Sequence, residues 1–468
     1  MLRGVAGALG GLLLACAEAP SVHVGRSESP PAAVLVRNVA VLDVESGARL
    51  AGRDVLMRDG RIAAIEPSGA IDPAAAALVD GAGATLVPGL IDMHGHVNTG
   101  NTPTWEFGFP NPDANIRSYL YAGVTTLLDP GDSSADAFER RALVANGELV
   151  GPRIFTAGTL LTCPGGHPVA LIREFAPAWI SWYVESQVAT QVESDAEVDE
   201  AVDALAANGA DVVKVAVDRI PLDASRMSKA TLAAIVARAR SHGLRVVVHI
   251  GTTEDAIDAA EAGVSLWVHG VYRDRIPDAD VTRLASYGIP MVATIEVFDR
   301  YARSNAGPIV PTRMERETVP GNVLASYFPV PDDFDLGNFG PWLENLQEQR
   351  GLLAENVMRL RRAGVTILAG SDTQSGVFAG AGLHRELAQL VKAGFTPSEA
   401  IRAATLDSAT FLANGEPLEF GAIRVGLDAD LLLVEGDPTR DVARLQDIRA
   451  LFVDGVAIDR QAIAASGD

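Results

Sequence analysis

Three apolar stretches of this sequence end in histidine: Pro88-Gly89-Leu90-Ile91-Asp92-Met93-His94-Gly95-His96, Arg245-Val246-Val247-Val248-His249 and Ser265-Leu266-Trp267-Val268-His269. In extended chain the two-residue period puts His94 and His96 on one face. Two neutral imidazoles held that close can share a cation, whereas buried without partners they would cost desolvation. His249 and His269, at equivalent ends of later runs, enlarge the set to four. Lys214 lies inside Asp211-Val212-Val213-Lys214-Val215-Ala216-Val217. Burial disfavours its ammonium form, and a neutral amine beside a metal can take up carbon dioxide as a carbamate, an anionic oxygen ligand able to bridge two cations. Its competing role is an ion pair with a buried carboxylate such as Asp129 or Asp372. Asp372, in Leu368-Ala369-Gly370-Ser371-Asp372, can bind metal and accept a proton; the competing role is an N-cap for the helix that follows. His167, in Gly165-Gly166-His167, is either a donor to a substrate carbonyl or a loop histidine bonded to backbone. His384 reads as structural, and His23 and His242 carry no role.

The elements that must position these residues repeat. Helix-period segments at 199–208, 230–241, 255–262 and 353–363 are each followed by glycine, the residue for a left-handed helix stop, and then a short apolar strand. Helix–turn–strand units in series mean a parallel sheet. Eight strands are expected, at 86–96, 124–128, 154–157, 212–217, 246–250, 266–269, 291–295 and 366–370, which favours a (β/α)8 TIM barrel. An open doubly wound sheet would call for a Gly-rich phosphate turn, and no GxGxxG is present. Before and after this region the texture is antiparallel β, with turn signals at Asp59-Gly60 and Asp454-Gly455. Neither end is large enough to bury a core comfortably, so both are expected to form one small β-sandwich domain. The expected organisation is 1–31 signal and tether, 32–85 first part of the β-sandwich, 86–414 barrel and 415–468 second part. Two long connections, 160–196 and 298–348, are aromatic-rich and expected either to cover the site or to pack on each other or a second subunit.

The 468 residues carry 38 Lys+Arg against 60 Asp+Glu, a formal charge of −22. That field argues against nucleic acid or anionic lipid as the main partner. Hydrophobic residues at 48% and charged residues at 21% exclude wholesale disorder. The first residues read as an address. Arg3 precedes a short apolar run ending in Leu13-Leu14-Ala15-Cys16, which resembles a bacterial lipobox, and a Ser/Pro/Ala-rich tether follows. Cys16 is the expected lipidation site. The protein is then exported, on the periplasmic side, and touches the membrane only through its anchor. The competing reading is an ordinary signal peptide with a chance cysteine.

The set His94, His96, Lys214, His249, His269 and Asp372 resembles that of the metal-dependent amidohydrolase superfamily. The nearest branch is the imidazolonepropionase-like and prolidase-like one. The resemblance covers residues 34–456 and includes Ala122-Gly123-Val124-Thr125-Thr126, His384-Arg385-Glu386-Leu387 and Gly426-Leu427-Asp428-Ala429-Asp430-Leu431. One stretch departs from it: prolidase-like members continue from the lysine into a Gly-Gly turn, where this chain has Val217-Asp218-Arg219-Ile220.

The expected chemistry is hydrolysis of an amide or peptide-like C–N bond in a small molecule or short peptide. Two divalent cations, zinc in preference to manganese or iron, would carry it. His94, His96 and Asp372 hold one, His249 and His269 the other, and carboxylated Lys214 and a hydroxide bridge them. Asp372 relays the proton to the leaving group. The alternatives are a mononuclear deaminase or cyclic-amidine hydrolase with unmodified Lys214, and a non-catalytic lipid-anchored binding protein. Arg117, Arg173 and Arg219 are candidates for a substrate carboxylate, with surface ion pairs as their competing fate.

Overall fold

The computed structural model describes residues 31–464 other than 107 and 305. Cys16, His23 and most of the expected tether lie outside the described residues. Among those described, no helix is long and apolar enough to cross a membrane.

The chain is a mixed α/β protein. Its two ends meet in one sheet of eight strands: the C-terminal strand Leu431–Val434 pairs antiparallel with Thr85–Pro88, which runs parallel to Ala33–Asp43. The buried faces of Val34, Val36, Val41, Met57, Leu86, Leu431, Leu433 and Phe452 form a single apolar cluster, so neither end has to bury a core alone. The first strand expected at 86–96 is therefore two. Thr85–Pro88 belongs to the end sheet, and only Leu90–Asp92 belongs to the parallel set. Gly89 sits at the break, where a Cβ would lie 2.0 Å from Thr125 Oγ1.

The parallel strands fall into a set of three, Leu90–Asp92, Val124–Asp129 and Arg153–Thr156, and a set of seven that runs from Ala189–Gln191 to Ile367–Leu368. The third expected strand, 154–157, is found as Arg153–Thr156 and pairs with Val124–Asp129. Past Gly158 (φ +66°) a further strand, Leu160–Thr162, lies where a connection was expected and pairs with Val212–Ala216. At the other edges, Met93 N donates to Ala369 O at 3.0 Å and Asp372 N to His94 O at 2.6 Å. One apolar cluster includes Ile91, Leu128, Phe155, Val212, Val247, Leu266, Val292 and Leu368, from eight of these ten parallel strands. The seventh expected strand, 291–295, is shorter: Met291–Val292 gives way to a helix at Ile295–Ala302. The glycine stops behave as expected, with Gly209, Gly243, Gly263 and Gly364 all at positive φ.

Where the chain after Ile367–Leu368 passes the chain after Leu90–Asp92, space is short. A Cβ on Gly370 would lie 2.5 Å from Val292 Cγ1 and 2.8 Å from His94 N. Gly370→Ala is expected to lower stability by about 1–3 kcal/mol through forced backbone shifts, read as a lower denaturant midpoint with unchanged slope.

Candidate metal centre and active site

The polar ends of the parallel strands converge. His94 Nε2 lies 3.2 Å from His96 Nε2, and His96 Nε2 lies 3.1 Å from Asp372 Oδ1. His269 Nδ1 is 3.9 Å from Asp372 Oδ2, and the His249 and His269 ring centroids are 4.3 Å apart. Lys214 projects from the middle of Val212–Ala216 with its register neighbour Val247 two residues before His249, so lysine and histidine share a face. His94, Lys214, His249, His269 and Asp372 are all buried. His167 follows the strand Leu160–Thr162, and its ring centroid stands 4.7 Å from that of His249. All seven sequence-selected residues of the centre line one cavity of about 410 Å³.

Backbone geometry fixes the set. Asp92, fully buried, accepts from His94 N at 3.1 Å and from Ser371 N at 2.9 Å and Ser371 Oγ at 2.5 Å, tying the first strand to the loop that carries Asp372. Gly95 separates the two histidines because a Cβ there would lie 2.4 Å from Tyr119 Oη. His269, Thr294 and Asp372 adopt φ of +69°, +48° and +53°. Left-handed backbone at three non-glycine residues costs about 1–3 kcal/mol each and persists because the surroundings hold it. Thr294 Oγ1 is 2.7 Å from His269 Nδ1, and Thr373 Oγ1 accepts from His96 N at 2.7 Å. Gln374 Nε2 donates to both Asp372 oxygens at 3.0 Å.

Electrostatically the centre is short of anions. Burial, reinforced by Lys214 and the neighbouring imidazoles, pushes the His94 pKa far down. His269 is held down in the same way by burial, His249 and Lys214. Burial and His249 lower His167 to about 3. Burial lowers Lys214 to about 7, with Asp372 pulling the other way. His96 alone rises, to about 10, because Asp129 and Asp372 outweigh its burial. Asp372 is held below the usual carboxylate range: His96 and Lys214 overcome its burial.

A divalent cation fits these donors. His94 Nδ1, His167 Nδ1, Lys214 Nζ and His249 Nε2 are buried with no hydrogen-bond partner, an arrangement that a protein rarely leaves unfilled. His94, His269 and Asp372 each offer an atom within 4.8 Å of the others. Nitrogen and carboxylate together suit zinc-type ions. Lys214 forms no ion pair with Asp129, whose oxygens accept instead from Val97 N and Gly131 N. Asp372 does not cap the next helix, Ala381–Ala393, whose N-cap is Gly380. His384 points Nε2 at Ala122 O, 2.8 Å away, as a structural residue would.

Residue type alone did not single out Asp92, Thr294, Gln374 or Asp218. Asp92 did carry a signal, a carboxylate inside an apolar run. Asp218, where the prolidase-like pattern has glycine, is buried. It accepts from Arg273 Nη1 at 2.7 Å and from Tyr272 Oη, and its Oδ2 lies 3.5 Å from His249 Nε2. Gly251 leaves room for it, since a Cβ there would sit 2.2 Å from Asp218 Oδ2.

The long connections cover the cavity and also pack on each other. Leu171, Phe175, Val184 and Val188 come from the first, Tyr301 and Phe339 from the second. Phe175 and Phe339 meet edge to face at 5.5 Å between centroids.

The sequence profile of the amidohydrolase family matches residues 85–458. Ochratoxinase of Aspergillus niger is 26% identical over 392 residues, 78% of this chain and 73% of that protein. A solved amidohydrolase structure superposes with TM-score 0.70 at 25% identity, over 91% of this chain and 98% of the other. A Xaa-Pro dipeptidase with bound methionine gives TM-score 0.74 at 23% identity, over 91% and 100%.

Titrating zinc into chelator-stripped protein is expected to raise Tm, with a gain of about 2.7 kcal/mol at a hundredfold excess over Kd. His94→Ala and Asp372→Ala are expected to lose most of that rise in the same calorimetric scan.

Proposed function

The chain belongs to the amidohydrolase family, hydrolases of carbon–nitrogen bonds, and on that premise we propose a prolidase-like hydrolase of an amide or peptide-like bond with a two-cation centre. The observation that carries this is the convergence of four imidazoles, Lys214 and Asp372 on one cavity, with Lys214 Nζ buried and unpartnered. In this reading His94, His96 and Asp372 hold one cation, His249 and His269 the second, zinc in preference to manganese or iron. Bound there, such ions supply a Lewis acid for the carbonyl and water of lowered pKa.

The chain's own groups do the rest. Neutral Lys214 Nζ attacks carbon dioxide; an N–C bond forms and one proton leaves, giving a carbamate that adds a negative charge where the centre lacks one. Asp372, held ionised by its neighbours, accepts the proton of the attacking water and passes it to the leaving nitrogen. His167, kept neutral by burial, stands over the cavity beside His249 and can donate a hydrogen bond to the substrate carbonyl. The relatives support this reading, since hydrolytic enzymes recur among them.

The same proposal reads the two parallel sheets as one closed (β/α)8 barrel of residues 86–414, supported by the Met93–Ala369 bond and by the consecutive strands Arg153–Thr156 and Leu160–Thr162, which pair into the two sheets in turn. It reads the end sheet as a β-sandwich of residues 32–85 and 415–468. It also places the protein outside the cytoplasm on a lipid-modified Cys16, supported by the lipobox-like Leu13-Leu14-Ala15-Cys16. A second reading has one cation on His94, His269 and Asp372, the trio within 4.8 Å, and an unmodified Lys214; that is the arrangement expected of a mononuclear deaminase.

Metal analysis of the mature protein is expected to give two ions per chain, and Lys214→Ala fewer than one and a half. One ion in both proteins would select the mononuclear reading. Asp372→Asn is expected to lower kcat by about 10²–10⁴ on any amide the protein cleaves. Radiolabelled palmitate is expected to enter the wild-type chain in bacterial cells and not Cys16→Ala; equal labelling of both would remove the anchor.

A further inference from the structure

The cavity in front of the centre has a chemical bias of its own. One wall is apolar: Leu171 and Phe175 from the helix Val169–Phe175, Val184 and Val188 from Ser181–Val188, and Phe339 from Phe339–Glu348. On the same helix, Ser181–Val188, Trp182 and Tyr183 are exposed, 68% and 49%. Among the described residues that line the cavity, Lys214 is the single lysine or arginine, and it is buried at the centre. The charged groups beyond the centre are acids, Glu106 and Asp132, the latter bonded to Arg140 Nη1 at 3.1 Å.

The arginines that could have reached a substrate carboxylate are elsewhere. Arg173 is committed to Glu185 through two bonds of 2.9 and 2.8 Å. Arg273 is committed to Asp218, Arg219 is exposed, and neither Arg117 nor Arg219 lines the cavity. A carboxylate set against this wall would lose its hydration with no lysine or arginine there to replace it, a large cost. The formal charge of −22 adds long-range repulsion of anions.

We propose that the substrate is an electroneutral amide that places an aryl or branched apolar group against Leu171, Phe175 and Phe339 and carries no free carboxylate beside the scissile bond. This rests on the hydrolase reading above. In the reaction water adds to the acyl carbon and the C–N bond breaks. Its electron pair stays on nitrogen, which takes the proton, leaving an acid and an amine. A dipeptide with a free C-terminus is the wrong substrate for this wall.

The test compares two single-amide compounds with the metal-loaded, full-length protein: phenylacetyl-p-toluidide and phenylacetyl-4-aminobenzoate, which differ by a methyl against a carboxylate. The toluidide is expected to have a kcat/KM at least about tenfold higher, mostly through KM, although the carboxylate compound has the slightly better leaving group. Phe175→Ala is expected to raise KM for the toluidide with metal content unchanged. Leu171→Arg is expected to shift the preference toward the carboxylate compound. Equal or faster cleavage of the carboxylate compound by wild type overturns the substrate class and leaves the hydrolase reading standing. Cleavage of neither compound, nor of any dipeptide, N-acyl amino acid or lactam, overturns both.

Discussion

A buried nitrogen that meets neither proton donor, acceptor nor cation is among the more expensive things a fold can contain. This chain gathers three of them, on His94, His167 and Lys214, within one cavity, and beside them His249 Nε2 faces only the Asp218 carboxylate at 3.5 Å. Asp372 is the carboxylate set directly among them, with Asp129 3.7 Å from His96 Nδ1 and Asp218 at His249 on the margins. Burial pushes His94, His269 and Lys214 toward their neutral forms, whereas the carboxylates beside His96 favour its charged form and Asp372 is held ionised. Neutral nitrogen lone pairs around an ionised carboxylate are what a cation needs. The same features that make the empty arrangement unstable make it a receptor for positive charge.

Such a centre has to be held by something other than its own interactions. Asp92 does much of it, joining the first parallel strand to the loop after the eighth through three accepted bonds. Glycines do the rest by absence: Gly95 and Gly370 occupy places where any Cβ would meet Tyr119 or His94. The left-handed backbone at His269, Thr294 and Asp372 is strain confined to the ends of three successive strands. The apolar layer beneath, drawn from eight of the parallel strands, is the rigid base that holds this strain.

How much of this was legible in the sequence follows from what each residue's signal is made of. His94, His96, His249 and His269 stand out because imidazole interrupts apolar runs at a strand period, and Lys214 because ammonium does not belong in Val-Val-Lys-Val. The alternating helix, glycine and strand gave the parallel set, because a left-handed stop needs glycine at Gly209, Gly243, Gly263 and Gly364. Strand edges were less legible. Gly89 splits one continuous apolar run between two sheets, because Thr125 leaves no room for a side chain there. Ile295 looks like strand and begins a helix, because Thr294 turns left-handed to meet His269. Positioning groups such as Gln374 and Thr294 are ordinary polar residues in sequence, and only tertiary contact gives them meaning.

The departure at Asp218 connects two parts of the protein that the sequence keeps far apart. A glycine pair at this turn would have left the space behind His249 empty of charge. Asp218 fills it, and its carboxylate is itself fixed by Arg273 and Tyr272. Tyr272 Oη accepts in turn from Trp342 Nε1 at 3.1 Å, and Trp342 stacks on Phe339 with centroids 4.8 Å apart. Phe339 is part of the substrate wall. A continuous series of packed and hydrogen-bonded side chains therefore runs from the apolar wall to the imidazole of His249. Each member has little freedom: Tyr272 and Trp342 are fully buried, and the two Asp218 oxygens are shared among Arg273, Tyr272, Arg219 N and His249. The group that would contact an apolar substrate and the group that would contact a cation are parts of one close-packed unit. The residue that joins them is the one by which this chain differs from the prolidase-like pattern.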